Sequence, residues 1–163
     1  EKFLKEKSEA FVSKKIMGKK TDEIIMPGGH LTVAQLTAML NTIPLEITFV
    51  DEDNINRFFN EGPKDFKRPG MAIDREVFSC HPPKVEQQVR HIIGEFRKGT
   101  LDKVPIWMEK NGKTMLVTYM AVRDAAGTYL GTMELVQDMG FAKEHFLSDV
   151  KAKEAALRAG MED

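Results

Sequence analysis

An α+β fold is predicted for this chain: a five-stranded antiparallel sheet with helices on one face and a further helix at each end. Three observations point to it. Residues 45–60, LEITFVDEDNINRFFN, set an acidic turn between two short apolar runs. Residues 84–98 carry apolar side chains along one helical face. Asn111-Gly112, a pair favoured in type I′ hairpins, joins two longer strand-like runs.

Each element follows from local chemistry. Glu1 to Lys20 is charged and mostly basic, with Phe3, Leu4, Phe11 and Ile16 scattered rather than striped. It reads as a linker helix arriving from an upstream domain and stopping near Gly18. Pro27, Gly28 and Gly29 then break the chain, so residues 1–30 are assigned to a linker helix and loop. Thr32 and Gln35 have capping-box spacing, and Leu36, Met39, Leu40 and Ile43 recur at helical steps until Pro44 stops them.

Leu45, Ile47 and Phe49 alternate with Glu46 and Thr48, which predicts a strand with that apolar set on the core. Glu52, Asp53 and Asn54 supply the turn, because Asp and Asn tolerate left-handed backbone. From Glu61 to Cys80 the pattern is irregular. Phe66, Met71, Ile73, Val77 and Phe78 are spaced for short helical turns. Pro82 and Pro83 suit the start of a helix, whose first N–H groups lack partners anyway. Val85, Val89, Ile92, Ile93 and Phe96 then share one face before Gly99 ends the run.

Strands over Val104 to Lys110, Lys113 to Arg123 and Thr128 to Asp138 complete the sheet. In the middle one, Met115, Val117 and Tyr119 lie on one face and Leu116, Met120 and Val122 on the other. A strand apolar on both faces needs a cover on each, from a helix or a second subunit. Phe141 to Arg158 reads as a closing helix with Phe146, Val150 and Leu157 on one side. The chain therefore divides into 1–30, a domain over 31–140, and a C-terminal helix over 141–163.

Composition limits the function. A formal net charge of −1 gives no general attraction to nucleic acid or anionic membrane. Apolar runs fall short of the ~18 residues of a membrane span. Cys80 is the only cysteine, so no internal disulfide forms and a reducing cytoplasm is expected. The chain opens on Glu1, not Met, and reads as a piece of a longer protein. No G-x-S-x-G, P-loop, H-E-x-x-H or C-x-x-C pattern occurs, so no catalytic role is expected.

The order of elements, with TFVDEDN at 48–54, SCHPP at 79–83, MAVRDAAGTYLGTMELVQD at 120–138 and the Asp138-Met139 step, resembles a PAS domain. More narrowly, it is similar to the C-terminal PAS domain of bacterial proteins with a hemerythrin-like domain upstream. The resemblance spans Leu31 to Gly140. It implies a sensory or signalling module that binds a small apolar ligand or cofactor. It also implies relay through the flanking helices or a homodimer interface, and a hemerythrin-like domain in the longer chain. The single H-x-x-x-E pair, His91 and Glu95, cannot build a di-iron site here.

Phe49, Phe58, Phe78, Phe96, Met115, Tyr119, Met133 and Leu135 are expected to converge between sheet and helices. They line a cavity for an apolar ligand or simply fill the core, since methionine and aromatic side chains suit both. His81 lies between Cys80 and two prolines at the helix mouth. It is either a heme ligand or a structural hydrogen-bonder. Cys80 reads as a small buried hydrophobe, its alternative being part of a heme motif. The cofactor is otherwise unknown, and flavin is disfavoured because the cysteine sits in SCHPP. His91 falls off the apolar stripe and should face water, and no metal-ligand spacing joins the four histidines. Trp107 is expected on the outer sheet face or at an interface, and Asp138 as a cap for the closing helix. A ligand-free dimerisation module and a heme sensor through His81 stand as alternatives.

Overall fold

The computed structural model describes residues 22–66 and 72–160. The expected helix over residues 1–20 lies outside them, as does Met71. The chain divides into two compact units on either side of Ile43 and Pro44.

In the first unit, β1 (Glu23–Met26) and β2 (Gly29–Thr32) form an antiparallel hairpin that pairs Met26 with Gly29. This corrects the expected loop. Pro27 and Gly28 do break the chain, but as a two-residue turn that folds Ile24, Ile25 and Met26 back onto the following segment. Helix α1 (Val33–Thr42) follows directly. Its capping box is complete: Thr32 Oγ1 accepts the Gln35 N–H at 3.1 Å, and Gln35 Oε1 accepts the Thr32 N–H at 3.0 Å. Leu36 and Leu40 are half-buried, whereas Met39 and Ile43 are exposed.

In the second unit, five strands form one antiparallel sheet, as expected from the sequence, and they pair in the order β4-β3-β7-β6-β5. They are β3 (Glu46–Asp51), β4 (Asn56–Phe59), β5 (Lys103–Lys110), β6 (Lys113–Arg123) and β7 (Tyr129–Asp138). The acidic turn works as its residues suggest. Asp51 Oδ1 accepts the N–H groups of Asp53 and Ile55, and Asn54 takes φ 65°. Asn111 and Gly112 take φ 52° and 73°, as a type I′ turn requires. Pro105 sits on β5, an edge strand, where its missing N–H costs least.

Helix α2 (Pro83–Lys98) opens at the prolines and ends at Gly99, which takes φ 75°. It packs across β6 and β7 with Val89, Ile92, Ile93 and Phe96 buried. Helical spacing thus turns into a core: each such side chain contributes roughly 1.5–3 kcal/mol by leaving water. His91 is exposed. Helix α3 (Gly140–Ala159) leaves the sheet at Asp138, whose Oδ1 accepts the Gly140 N–H at 2.9 Å. Among the described residues no helix is long and apolar enough to cross a membrane.

Candidate functional site

Between the sheet and α2 lies a cavity of about 540 Å³. That is within the size range of small-molecule sites. Its roof is apolar: Val77 from the 3₁₀ turn (Val77–Cys80), and Pro82, Val85, Val89 and Ile93 from the helix and its entry. Phe59, Phe66 and Ala72 close one side, and Met108 and Val117 extend the floor. Polar groups enter from the sheet, as Thr48, Asn56, Tyr119, Thr132 and Glu134, and from the helix mouth, as His81.

Strand pairing explains which side chains reach it. Residues opposite one another in an antiparallel pair share a face. Thr48 pairs with Glu134 and Glu134 with Tyr119; Val50 pairs with Thr132. All of these line the cavity. An irregularity between Phe49 and Val50 lets β4 slip past Arg57, pairing Thr48 with Phe59 and Val50 with Asn56. The slip puts Asn56 and Phe59 on the same face although they are three residues apart.

The expected convergence is therefore only partial. His81 and Tyr119 line the cavity. Phe78 is buried behind its roof with Val50, Val77, Val89 and Ile93, and its ring lies 3.8 Å from the Arg90 guanidinium carbon. Met115 is 1% exposed in a cluster with Val117 and Val136, and Phe96 is fully buried under the helix end. Phe49, Phe58 and Met133 are not brought to the cavity. Phe49 pairs with both Phe58 and Met133, and Ile47 with Leu135, all on the opposite face. The expected place of Phe49 between sheet and helices is corrected accordingly: Thr48 and Val50 are the residues of β3 that line the cavity, while Ile47, expected on the core, is buried on the other face. A period of two separates faces without saying which is covered by the helices.

Three polar arrangements position the walls. Asn60, 3% exposed, extends the β3–β4 ladder with its side chain: Oδ1 accepts the Ile47 N–H at 2.8 Å and Nδ2 donates to the Leu45 carbonyl at 2.8 Å. Glu46, 9% exposed, accepts the N–H groups of Asp65 and Phe66 on Oε1. Its Oε2 is buried with no hydrogen-bond partner. The Phe66 ring, on the cavity wall, carries Lys110 Nζ 3.3 Å from its centroid, and Asp65 pairs with Lys113 at 3.0 Å. That pairing, chiefly the Asp65 hydrogen bond, holds the Lys113 ammonium above its usual pKa.

His81 Nδ1 lies 2.8 Å from the Val77 carbonyl oxygen. A carbonyl cannot donate, so Nδ1 is the donor in this contact, and Nε2 is the nitrogen left to accept or ligate when the ring is neutral. The expectations for the Cys80 side chain fall outside what the structure describes. Among the described residues no group of three or more His, Cys, Asp or Glu could hold a metal ion. Trp107 is 59% exposed and pairs with Leu116, on the face away from the cavity.

A family model described as a PAS domain matches residues 36–140, well over half the chain. The chain belongs to the PAS domain family. Among solved structures, the C-terminal domain of a Streptococcus mutans protein is similar, with 39% identity and a TM-score of 0.72. The match covers 77% of this chain and 98% of that one. The PAS domain of a Colwellia psychrerythraea protein is 14% identical, with a TM-score of 0.47 and coverage of 66% and 97%. A sensory box sensor histidine kinase from Vibrio cholerae is 13% identical, with a TM-score of 0.44 and coverage of 63% and 85%. No curated protein matches.

Proposed function

We propose that this chain is a cytoplasmic sensory module whose cavity accepts a small, largely apolar molecule. The observation that carries this reading is the cavity itself, about 540 Å³ beneath five apolar side chains of the helix and its entry. A packed interior leaves few voids larger than a water molecule, so space of this size between sheet and helix suits an occupant. Occupancy would act on β6 and β7, which form part of the floor and lead into α3. A ligand biases such an output only by the difference in its affinity for two arrangements.

The relay runs through α3 or a homodimer interface. Phe141, Phe146, Leu147, Val150 and Leu157 are all exposed on α3, which suits a helix that meets a second copy or a neighbouring domain. A hemerythrin-like domain upstream in a longer chain is the partner that the sequence resemblance suggests.

Heme is the cofactor that the sequence raises for His81. The proton of His81 on Nδ1 leaves Nε2 as the nitrogen able to ligate iron, which favours this as a second reading. A third, a ligand-free dimerisation module, draws on the exposure of Trp107.

Native mass spectrometry and an absorption spectrum of the purified protein separate these. An added small-molecule mass, removed on denaturation, supports the sensor. A Soret band lost in His81→Ala supports heme. No added mass, no colour and a concentration-independent dimer would overturn ligand binding in favour of the interaction module.

A further inference from the structure

Most of the polar side chains that reach the cavity are committed within the protein. Thr132 shares a hydrogen bond with the Tyr129 hydroxyl at 2.7 Å. His81 spends its Nδ1 proton on the Val77 carbonyl, and Asn56 Nδ2 reaches the Arg75 carbonyl at 3.4 Å. Tyr119 and Glu134, opposite one another on β6 and β7, each have a partner already. Thr48 is the exception: its hydroxyl makes no hydrogen bond among the described residues. It stands on β3, an inner strand, between Phe59 on β4 and Glu134 on β7, and all three line the cavity. The open space that this hydroxyl meets is therefore the cavity.

Charge is kept out of the cavity or already engaged. Among the described residues that line it there is no Lys or Arg, and Glu134 is the one carboxylate. Lys64 and Lys110 sit over the rings of Phe59 and Phe66, with Nζ 5.8 and 3.3 Å from the ring centroids, and neither lines the cavity. A buried charge is tolerated only when it is paired. An anion would enter beside a carboxylate with no ammonium or guanidinium to meet it. A cation would need a free carboxylate, and Glu134 is not free. An uncharged ligand carries neither cost.

We propose that the cavity selects an uncharged ligand: an apolar body beneath α2 carrying a single hydroxyl that pairs with Thr48 Oγ1. A hydroxyl suits the place because it can donate to the threonine or accept from it, whereas a carbonyl would set a second acceptor beside the Glu134 carboxylate. This deepens the sensory reading and rests on it. Thr48 then reads the ligand's polar atom, and the apolar roof reads its bulk.

The test is a calorimetric panel on the intact protein at neutral pH, with probes that share one bicyclic body: 2-naphthol, 2-methylnaphthalene, 2-naphthoate and 2-naphthylmethylammonium. Both uncharged probes are expected to bind at least about tenfold more tightly than either ion. Thr48→Val keeps the shape and removes the hydroxyl, so the affinity of 2-naphthol relative to 2-methylnaphthalene should fall roughly three- to tenfold. Thr48→Ser should restore it. Either ion binding as tightly as the uncharged probes, or a copurified molecule bearing a net charge, would overturn the ligand class while leaving the ligand-binding cavity standing. A relative affinity unchanged in Thr48→Val would overturn the hydroxyl contact. No binding by any probe up to its solubility limit, with no copurified mass, would overturn the cavity reading and this inference together.

Discussion

The Phe49 ring lies over Gly131, so close that a Cβ built on the glycine would stand 2.8 Å from it. The same Cβ would be 2.2 Å from the Val50 carbonyl oxygen, and Gly131 takes φ 157°. The aromatic ring covers the gap that a side-chain-free residue leaves in the centre of the sheet. Gly131→Ala is therefore expected to cost about 1–3 kcal/mol or more, read as a lower urea midpoint at unchanged slope. Adding Phe49→Leu removes the ring clash but not the backbone one. The double variant should recover part of the loss; complete recovery would show that the Val50 contact is not limiting.

Asn60 predicts a second, separable loss. Its side chain does what a further strand residue would do, serving the Ile47 N–H and the Leu45 carbonyl together. Asn60→Ala leaves a buried N–H unserved, at about 1–3 kcal/mol. Asn60→Asp keeps the acceptor and loses the donor, so it should fall between wild type and Ala. Thermal unfolding of the three proteins gives the order; an Asp variant no better than Ala would mean the Ile47 bond contributes little.

Acid stability should depend on Asp51. Burial pushes its carboxyl up, but the N–H groups of Ile55 and Asp53 and the Arg57 guanidinium outweigh burial, and the folded pKa lies below its ordinary 3.8. The unfolded chain therefore binds the proton more readily. The stability from this group is fully present above about 3.8 and is lost as pH falls through the lower folded value. Asp51→Asn should flatten the stability curve on its acid side. It should change little of the curve's shape above pH 5. A parallel acid limb in both proteins would refute the assignment.

Much of this fold is legible in the sequence because local and tertiary signals agree. Val89, Ile92, Ile93 and Phe96 mark α2 by spacing, and their burial realises it. Asn111-Gly112 and the Thr32–Gln35 box act through backbone chemistry that needs no partner element. The cavity is less legible. Glu46, Thr48, Thr132 and Glu134 are polar, and alternation assigns such residues to water, whereas Glu46 and Thr132 are buried. Phe49, Phe58 and Met133 were expected inside because they are large and apolar, yet strand pairing sets them on the other face. The slip at Arg57 reverses parity within β4, which no count along the chain reveals. The β1–β2 hairpin was missed because four-residue strands around Pro-Gly look like a break.

Lys113 joins the cavity wall to the exit helix, and this sets a final prediction. Its ammonium lies 3.0 Å from Asp65 Oδ1, next to Phe66 on the wall. It also lies 3.8 Å from Asp138 Oδ2, while Asp138 Oδ1 holds the Gly140 N–H at the start of α3. The pair is solvent-exposed, so its effect on global stability should be small. Local order is the sensitive readout. Lys113→Met should speed amide exchange at Phe66, which loses its anchored neighbour, and at Gly140, whose acceptor is freed to turn outward. Amides of Phe49 and Val117, deep in the sheet, should exchange as before. Acceleration at Phe66 alone would mean that Asp138 holds the helix without Lys113; acceleration throughout the sheet would mean that the lysine is a structural support and not a link between these two segments.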